Sequence, residues 1–341
     1  MADINKCEDS GASPLYIACH NNHIEVVKIL LDRKADINKC KTYGVSPLYV
    51  ACKKNHKEVV EILLDRKTDI NNCTNTEVSP LYVACYHNHI EVVKKLLDRK
   101  AYINKCRYDG ASPLYVACER NHIEVVTILL DRKAYINKCR YDGASPLYVA
   151  CENNHIEVVN ILLERKADIN KCMNYGEPPL HVACENKYIE IVNLLLDRKT
   201  DINKFEDHGA FPLYIVCSYN HIEVVKILQD RKADINKCRD TGASSLYIAC
   251  QNNHIEVVKI LLDRKADINK CEYFGESPLY NACKKNHIDV VRMLLEKGSD
   301  YNKCNTFGIS PIQIANENGH NGILAVINEH SRVEINISKK T

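Results

Sequence analysis

A period of 33 residues runs through this chain and constrains its fold more than any other feature. The period is marked by proline at Pro14, Pro47, Pro80, Pro113, Pro146, Pro179, Pro212, Pro278 and Pro311, and Ser245 takes the remaining place. Ten copies follow one another without an insertion. Periods of this length are typical of repeat proteins, in which each unit packs on its neighbours and no single central core is needed.

One copy of the repeat, beginning at the motif SPLY, predicts two helices and a loop. Ser46 suits the N-cap of a first helix, and Pro47 suits its first turn. Asn55 stands where that helix must end, because asparagine tolerates the left-handed conformation better than most residues. The run HKEVVEILLDR then predicts a second helix with an apolar face that includes Val59 and Leu63. The polar stretch KTDINNCTNTEVS predicts a hairpin-like loop that leads to the next Ser-Pro pair.

The composition argues against nucleic acids and membranes as partners. The chain has 46 Lys and Arg against 44 Asp and Glu, a net charge of +2, so it carries no basic excess for a polyanion. No apolar run approaches 18 residues, and the N-terminus has no signal-peptide character. Met1 is followed directly by ADINKC, the interior of a repeat. We therefore expect a fragment of a longer array without membrane insertion.

Eighteen cysteines form two ladders rather than a disulfide framework. The first ladder is Cys7, Cys40, Cys73, Cys106, Cys139, Cys172, Cys238, Cys271 and Cys304. The second is Cys19, Cys52, Cys85, Cys118, Cys151, Cys184, Cys217, Cys250 and Cys283. Equivalent residues of stacked repeats should lie about 8–10 Å apart, whereas a disulfide needs Cα atoms within about 7 Å. We therefore expect reduced thiols and an intracellular, cytoplasmic protein.

These residues carry a resemblance to a known family. The stretch GASPLYVACENNHIEVVNILLERKADIN resembles the ankyrin repeat, whose pattern is G-x-T-P-L-H-x-A-A-x-x-G-H-x-E-V-V-x-L-L-L-x-x-G-A-D-V-N. The resemblance covers all ten copies. It implies an all-α repeat solenoid in which helix-turn-helix-hairpin repeats are stacked into a curved array. We assign residues 1–330 to this solenoid, with the tenth copy as a C-terminal cap, and residues 331–341 to a short polar tail.

The copies depart from the family pattern in a systematic way. Tyrosine replaces the motif's histidine in most copies, while His181 keeps the family residue. Lysine replaces the glycine after the second helix, as at Lys34, and Gly298 restores it. If those lysines are left-handed, each one costs on the order of 1 kcal/mol.

Two repeated features have both a chemical and a structural interpretation. The Cys-x3-His pair, such as Cys151 and His155, has the residue types of a zinc site. The histidine follows the turn between the helices, however, and in the ankyrin family it is a structural hydrogen-bonding residue, so we favour packing. The tyrosines of the SPLY motif could form a recognition stripe, but we favour packing between repeats here as well.

Differences between the copies concentrate at the hairpin tips and at the ends of the first helices. In the ankyrin family these two segments line the groove that grips partners. Several tips carry aromatic residues, which neutral drift alone does not predict. The candidate partner-binding residues are Tyr43, Lys53, Lys54, Tyr86, His87, Tyr108, Asp109, Glu119, Arg120, Tyr141, Asp142, Tyr175, Phe205, His208, Phe211, Tyr219, Tyr273, Phe274, Lys284 and Lys285.

The sixth and seventh copies differ most from the others. Pro178 and Phe211 replace the capping serine, and loss of such a cap typically costs about 1 kcal/mol. This region is either the weakest joint of the stack or the centre of a binding patch. The anchors of that patch would be Phe205, His208, Phe211 and Tyr219.

The function expected from these observations is a non-enzymatic scaffold. It would bind a protein partner as a monomer, without a cofactor. The alternatives are a spacer segment of a larger array, such as a channel or giant scaffold, and an enzyme or metal protein, which no singular motif supports.

Overall fold

The computed structural model describes residues 3–338, and it divides into two compact units, residues 1–174 and 175–341. Each unit holds five copies of the repeat, and each copy begins with a seven-residue helix. These first helices are α1 (Pro14–His20), α3 (Pro47–Lys53), α5 (Pro80–Tyr86), α7 (Pro113–Glu119) and α9 (Pro146–Glu152) in the first unit. In the second unit they are α11 (Pro179–Glu185), α13 (Pro212–Ser218), α15 (Ser245–Gln251), α17 (Pro278–Lys284) and α19 (Pro311–Glu317).

A second helix follows each first helix after a tight turn. In the first unit these are α2 (Ile24–Asp32), α4 (Lys57–Asp65), α6 (Ile90–Asp98), α8 (Ile123–Asp131) and α10 (Ile156–Glu164). In the second unit they are α12 (Ile189–Asp197), α14 (Ile222–Asp230), α16 (Ile255–Asp263), α18 (Ile288–Glu296) and α20 (Asn321–Ser338). Residues 3–338 contain no strand, only two isolated bridges in the loops and a short 3₁₀ turn at Thr42–Gly44.

The first helices begin where the Ser-Pro motif predicts. In the second copy the side chain of Ser46 accepts a hydrogen bond of 3.1 Å from the backbone N–H of Tyr49, and Pro47 occupies the first turn. At Pro178 and Phe211 this side-chain cap is absent, as the sequence indicates. The helix starts are thus set by local hydrogen bonding, which a short motif can encode.

Left-handed residues close both helices of a repeat. Asn55 ends the first helix with φ of 62°, and Lys67 ends the second with the same φ. The family-like Gly298 takes φ of 90° at the equivalent place in the ninth copy. The prediction that the lysines after the second helices are left-handed is confirmed, and each carries the steric cost of a Cβ in that region.

Within each unit the helical hairpins pack side by side. First helices contact first helices, and second helices contact second helices, through a core in which Leu48, Cys52, Val59 and Leu63 are completely buried. A ladder of side-chain hydrogen bonds joins the loops, because the amide oxygen of one asparagine accepts from a backbone N–H in the next copy. One such bond runs from Asp69 to Asn38, over 2.9 Å.

The last helix extends into the expected tail. It continues to Ser338, so residues 331–338 are helical, and residues 339–341 lie outside the described part of the chain. Ile323 and Ile327 are buried on its inner side, and no proline or glycine follows Gly322 to end the helix. Asn321 and Asn328 are exposed where other copies carry apolar residues; the capping role of this copy stays a prediction.

The helices of residues 3–338 were also compared with the requirements of a membrane span. None of those helices combines the length and the apolar character that crossing a bilayer demands.

Candidate partner-binding surface

The hairpin tips are rigid turns. In the fourth copy the N–H of Gly110 donates to the carbonyl of Arg107 over 2.9 Å, and Gly110 needs its positive φ of 87° to close this turn. The guanidinium of Arg107 forms an ion pair with Asp109, which lowers the pKa of that carboxyl. Asp109 also accepts from the N–H of Ala111 over 3.1 Å. The fifth copy repeats the ion pair with Arg140 and Asp142.

Backbone hydrogen bonds connect most tips to the next one within a unit. The N–H of Tyr108 donates to Thr76, and that of Tyr141 donates to Asp109 over 2.9 Å. In the second unit, Tyr273 donates in the same way to Thr241 over 2.7 Å. The tips therefore form ordered rows in which the side chains of neighbouring copies keep a fixed spacing.

The tip aromatics predicted from the sequence project into solvent. Their exposed fractions range from 51% for Phe274 to 77% for Tyr273. The predicted tip aromatics that are more than half exposed are Tyr43, Tyr108, Tyr141, Tyr175, Tyr273 and Phe274. In the second unit Tyr273 and Phe274 lie edge to face at 5.4 Å, and Phe274 stacks on Phe307 at 6.1 Å.

The predicted residues at the first-helix ends of the first unit form a connected cluster. Arg120 lies 3.8 Å above the ring of Tyr86 and donates a hydrogen bond to its hydroxyl. His87 packs edge to face against Tyr86 at 4.9 Å. Lys53, Lys54, His87 and Arg120 are exposed, while Glu119 is half-buried.

In the second unit the corresponding ends are more dispersed. Tyr219 is exposed, donates to Glu185 over 3.0 Å and stacks on His221. Lys284 forms a 3.1 Å ion pair with Glu276 of a tip loop. Lys285 is exposed beside it.

Tips and helix ends share one surface in the first unit. A cleft of about 260 Å³ is lined by Lys53, Tyr86 and His87 from the helix ends and by Arg107 from a tip. Arg107 also lies 5.7 Å from the ring centre of Tyr82. The structure thus brings together two groups of residues that the sequence separates by 20 or more positions.

Phe211 corrects the expected anchor patch of the seventh copy. Its ring is completely buried, packed against Phe205 and Tyr214 at about 6 Å, so a partner cannot reach it. Phe205 stays 43% exposed beneath the ammonium group of Lys237, and His208 is exposed. Phe211 is buried because it fills space against a neighbouring loop, which the capping position alone does not indicate.

Two exposed tyrosines were not among the predicted site residues. Tyr102 and Tyr135, each 65% exposed, follow the second helices of neighbouring copies. The signal was present in the sequence, since AYIN replaces the usual ADIN in those two copies.

The Cys-x3-His pair is structural, as the position of its histidine predicts. Nε2 of His155 lies 3.0 Å from the carbonyl oxygen of Glu119 in the preceding copy. Cys151 is completely buried, and burial raises the pKa of its thiol. Burial raises the pKa of Cys283 to about 12, so both thiols stay protonated and unreactive. Among the described residues no three metal-ligating side chains converge, and all eighteen cysteines are free.

The tyrosines of the SPLY motif pack between repeats. Tyr82 and Tyr115 are 3% and 2% exposed, and His181 takes the same place with no exposure. The packing interpretation is confirmed, and these rings are not an open recognition stripe.

Helical hairpins stacked at a constant period, with rows of exposed tips, define a class of helical repeat proteins. A family model described as "Ankyrin repeats (3 copies)" matches residues 1–74, 67–140, 132–206 and 204–272, and one described as "Ankyrin repeats (many copies)" matches residues 266–315. The chain belongs to the ankyrin-repeat family and has its all-α solenoid fold. Ankyrin repeats are generally protein–protein interaction modules. A search of the curated proteins found no match.

Proposed function

We propose that this chain is a non-enzymatic scaffold that binds a protein partner through its hairpin tips and first-helix ends. The observation that carries the proposal is the row of exposed tip aromatics, held at fixed spacing by backbone hydrogen bonds. Rigid, exposed tyrosines supply large contact areas at a low cost in conformational entropy. Solubility does not explain why these exposed positions are aromatic, because an exposed ring leaves apolar surface area in contact with water.

The proposal also includes a cellular compartment and an assembly state. The free thiols of both cysteine ladders support a reducing, cytoplasmic location. We expect the chain to act as a monomer, because the partner takes the surface of tips and helix ends. Light scattering on the purified chain would check the monomer.

A capture experiment with matched variants tests this function. The chain is immobilised and exposed to cell lysate, in parallel with Tyr108→Ser/Tyr141→Ser and with Tyr102→Ser/Tyr135→Ser. Both double variants remove two exposed tyrosines from neighbouring copies of the first unit, with exposed fractions of 60% and 74% for the first pair and 65% for each residue of the second. Only the first pair lies on the tips.

The expected result is a protein that wild type and the Tyr102/Tyr135 variant retain and that the tip variant loses. Melting curves of all three proteins should coincide, since none of the four rings is buried. A partner retained equally by all three would contradict the role of the tips. If no protein is retained by any of them, the spacer interpretation is favoured.

A further inference from the structure

We propose that the first unit takes an acidic peptide segment of its partner in a basic cleft at the ends of α3, α5 and α7. This inference rests on the proposed function and names the chemistry of the partner. The walls of the basic cleft are Tyr49, Tyr82 and Tyr86, and its rim is Lys53, His87 and Arg107. Arg120 lies beside this rim, over the ring of Tyr86.

Two cations at the cleft, Lys53 and Arg120, lack carboxylate partners, whereas Arg107 is paired with Asp109. Among the described residues neither Lys53 nor Arg120 forms an ion pair, and Arg120 is held by the ring and hydroxyl of Tyr86 instead. Arginines at the ends of the second helices behave differently. Arg99, for example, pairs with Asp65 over 2.7 Å, and Arg132 pairs with Asp98 over 2.7 Å. These arginines at the ends of the second helices are thus paired with carboxylates, whereas Lys53 and Arg120 remain available to an anion.

The rim concentrates positive charge around one titratable group. Burial and the nearby charges of His89, Lys53, Arg120 and His122 lower the pKa of His87, with burial as the largest cause. An anion placed at the rim would relieve this like-charge repulsion. Asp109 neutralises Arg107, so the unpaired charges of Lys53 and Arg120 are those that favour a negative group at the cleft.

The walls of the cleft also favour a ligand that carries an apolar group. Tyr82 is 3% exposed, and Val78 and Val83 complete the lining. A cleft of about 260 Å³ with these walls suits one apolar side chain, which would be flanked by carboxylates at the rim. A bare inorganic anion would leave the tyrosine walls uncovered.

The charge pattern along the unit limits the length of the acidic segment. Glu119 is the last residue of α7, and Glu152 is the last residue of α9. The pKa of Glu152 is raised, first by burial and then by Asp142 and Glu119 despite the opposing Arg140. A long polyanion such as a nucleic acid would meet both carboxylates, whereas a short acidic peptide at the cleft would meet only Glu119, beside Arg120.

Fluorescence anisotropy with the full chain tests the proposal. The probe is a labelled peptide with two aspartates and two glutamates around one phenylalanine, and its control has asparagine and glutamine in their places. We expect saturable binding of the acidic peptide and at least about tenfold weaker binding of the amide peptide. The affinity for the acidic peptide should fall as NaCl rises from about 50 to about 500 mM, since salt screens exposed charges.

Variants locate the site on the chain. Lys53→Ala/His87→Ala/Arg120→Ala should weaken binding about tenfold or more. The matched control is Lys284→Ala/Lys285→Ala, which removes a basic pair at the same position of the ninth copy, where Lys284 already pairs with Glu276. This control should change the affinity by less than about twofold. Lys53→Glu alone changes only an exposed side chain, keeps the fold, and should also weaken binding of the acidic peptide.

Three outcomes would overturn the basic cleft. They are equal affinity for the two peptides, unchanged affinity in both rim variants, or no binding at about 1 mM protein. None of them bears on the tip aromatics, because the peptides probe only the cleft. Conversely, loss of the proposed function in the capture experiment leaves the charge preference of the cleft measurable.

Discussion

At the scale of single residues, the positions that break the repeat pattern carry the largest energetic consequences. His181 replaces the tyrosine of most other copies and is completely buried. Its Nε2 lies 2.8 Å from the carbonyl oxygen of Lys204, while its Nδ1 has no hydrogen-bond partner. Desolvation lowers the pKa of His181 to about 4, against the opposing effect of the bond to Lys204. The folded protein therefore holds this ring neutral at pH 7.

His181 predicts an acid-sensitive stability. Between pH 6.5 and 4 the unfolded chain binds a proton at this ring that the folded chain does not, so stability falls as the pH falls. The full effect is on the order of 3 kcal/mol. His181→Tyr should remove it, as measured by urea unfolding of both proteins from pH 7 to 4. His208→Tyr, at an exposed position of the same unit, is the control and should keep the wild-type profile. Parallel profiles for wild type and His181→Tyr would contradict the burial argument.

Substitution of Phe211 by serine would have two opposing effects on stability. Phe211→Ser would restore the helix cap, which is worth about 1 kcal/mol, but would empty the space of a completely buried ring, which costs about 3–5 kcal/mol. We expect a net loss of about 3 kcal/mol in urea unfolding. Pro178→Ser restores the equivalent cap in the preceding copy without removing an aromatic ring, and should stay within about 1 kcal/mol of wild type. A Phe211→Ser protein as stable as wild type would show that the ring is not part of the core.

At the scale of the element, each helical hairpin is closed by hydrogen bonds around left-handed residues. After α16, Lys265 has φ of 64° and donates its N–H to Leu262 over 3.0 Å, and Ala266 donates to Leu261 over the same distance. These two backbone hydrogen bonds end the helix in the same way as at a helix end that has glycine in the left-handed position. The lysine side chain is not required for it.

Lysine-to-glycine substitutions at two positions of one repeat should therefore change the free energy of unfolding in opposite directions. Lys265→Gly removes the Cβ from a left-handed position and should stabilise the protein by up to about 1 kcal/mol. Lys259→Gly changes an exposed position inside α16 and should destabilise it by about 1 kcal/mol. Urea midpoints of the two variants would test this pair, and losses of equal size in both would contradict the conformational explanation.

At the scale of the whole molecule, stability accumulates copy by copy within each unit. The fourth and fifth copies of the first unit differ at only four positions, among them Arg120 against Asn153. Each helix of this unit packs on the equivalent helices of neighbouring copies. The surface that the fourth copy packs against the third is therefore nearly the same as the surface that the fifth copy would offer in its place.

Removal of one whole period should leave a folded chain. Deletion of residues 107–139 joins Cys106 to Arg140 and recreates the existing Cys-Arg junction. We expect the helical circular dichroism per residue to be retained, with a lower melting temperature because one interface is lost. Deletion of residues 123–139 removes only α8 and its loop, leaves α7 without its partner helix, and should abolish cooperative unfolding. If both deletions melt alike, the repeat is not the unit of packing.

The predictions that the structure confirmed depend on local interactions. Ser46 and Pro47 start a helix, and Asn55 and Lys67 end one, through bonds and dihedral angles within a few residues. Most of the ten copies of the 33-residue repeat display these signals, which is why the sequence alone determined the helical hairpins, their order and the family. The tips were also foreseeable, because copies of one unit can be compared with each other.

Contacts between copies, by contrast, were decided only in the tertiary structure. Arg120 meets Tyr86 across 34 residues, and Phe211 is buried by Phe205 of the preceding loop. Burial and charge pairing depend on which side chain of the next copy fills the space, and the same residue type can be core in one copy and surface in another. The sequence therefore determined the repeat and its rows of tips, and packing between copies decided which side chains a partner can reach.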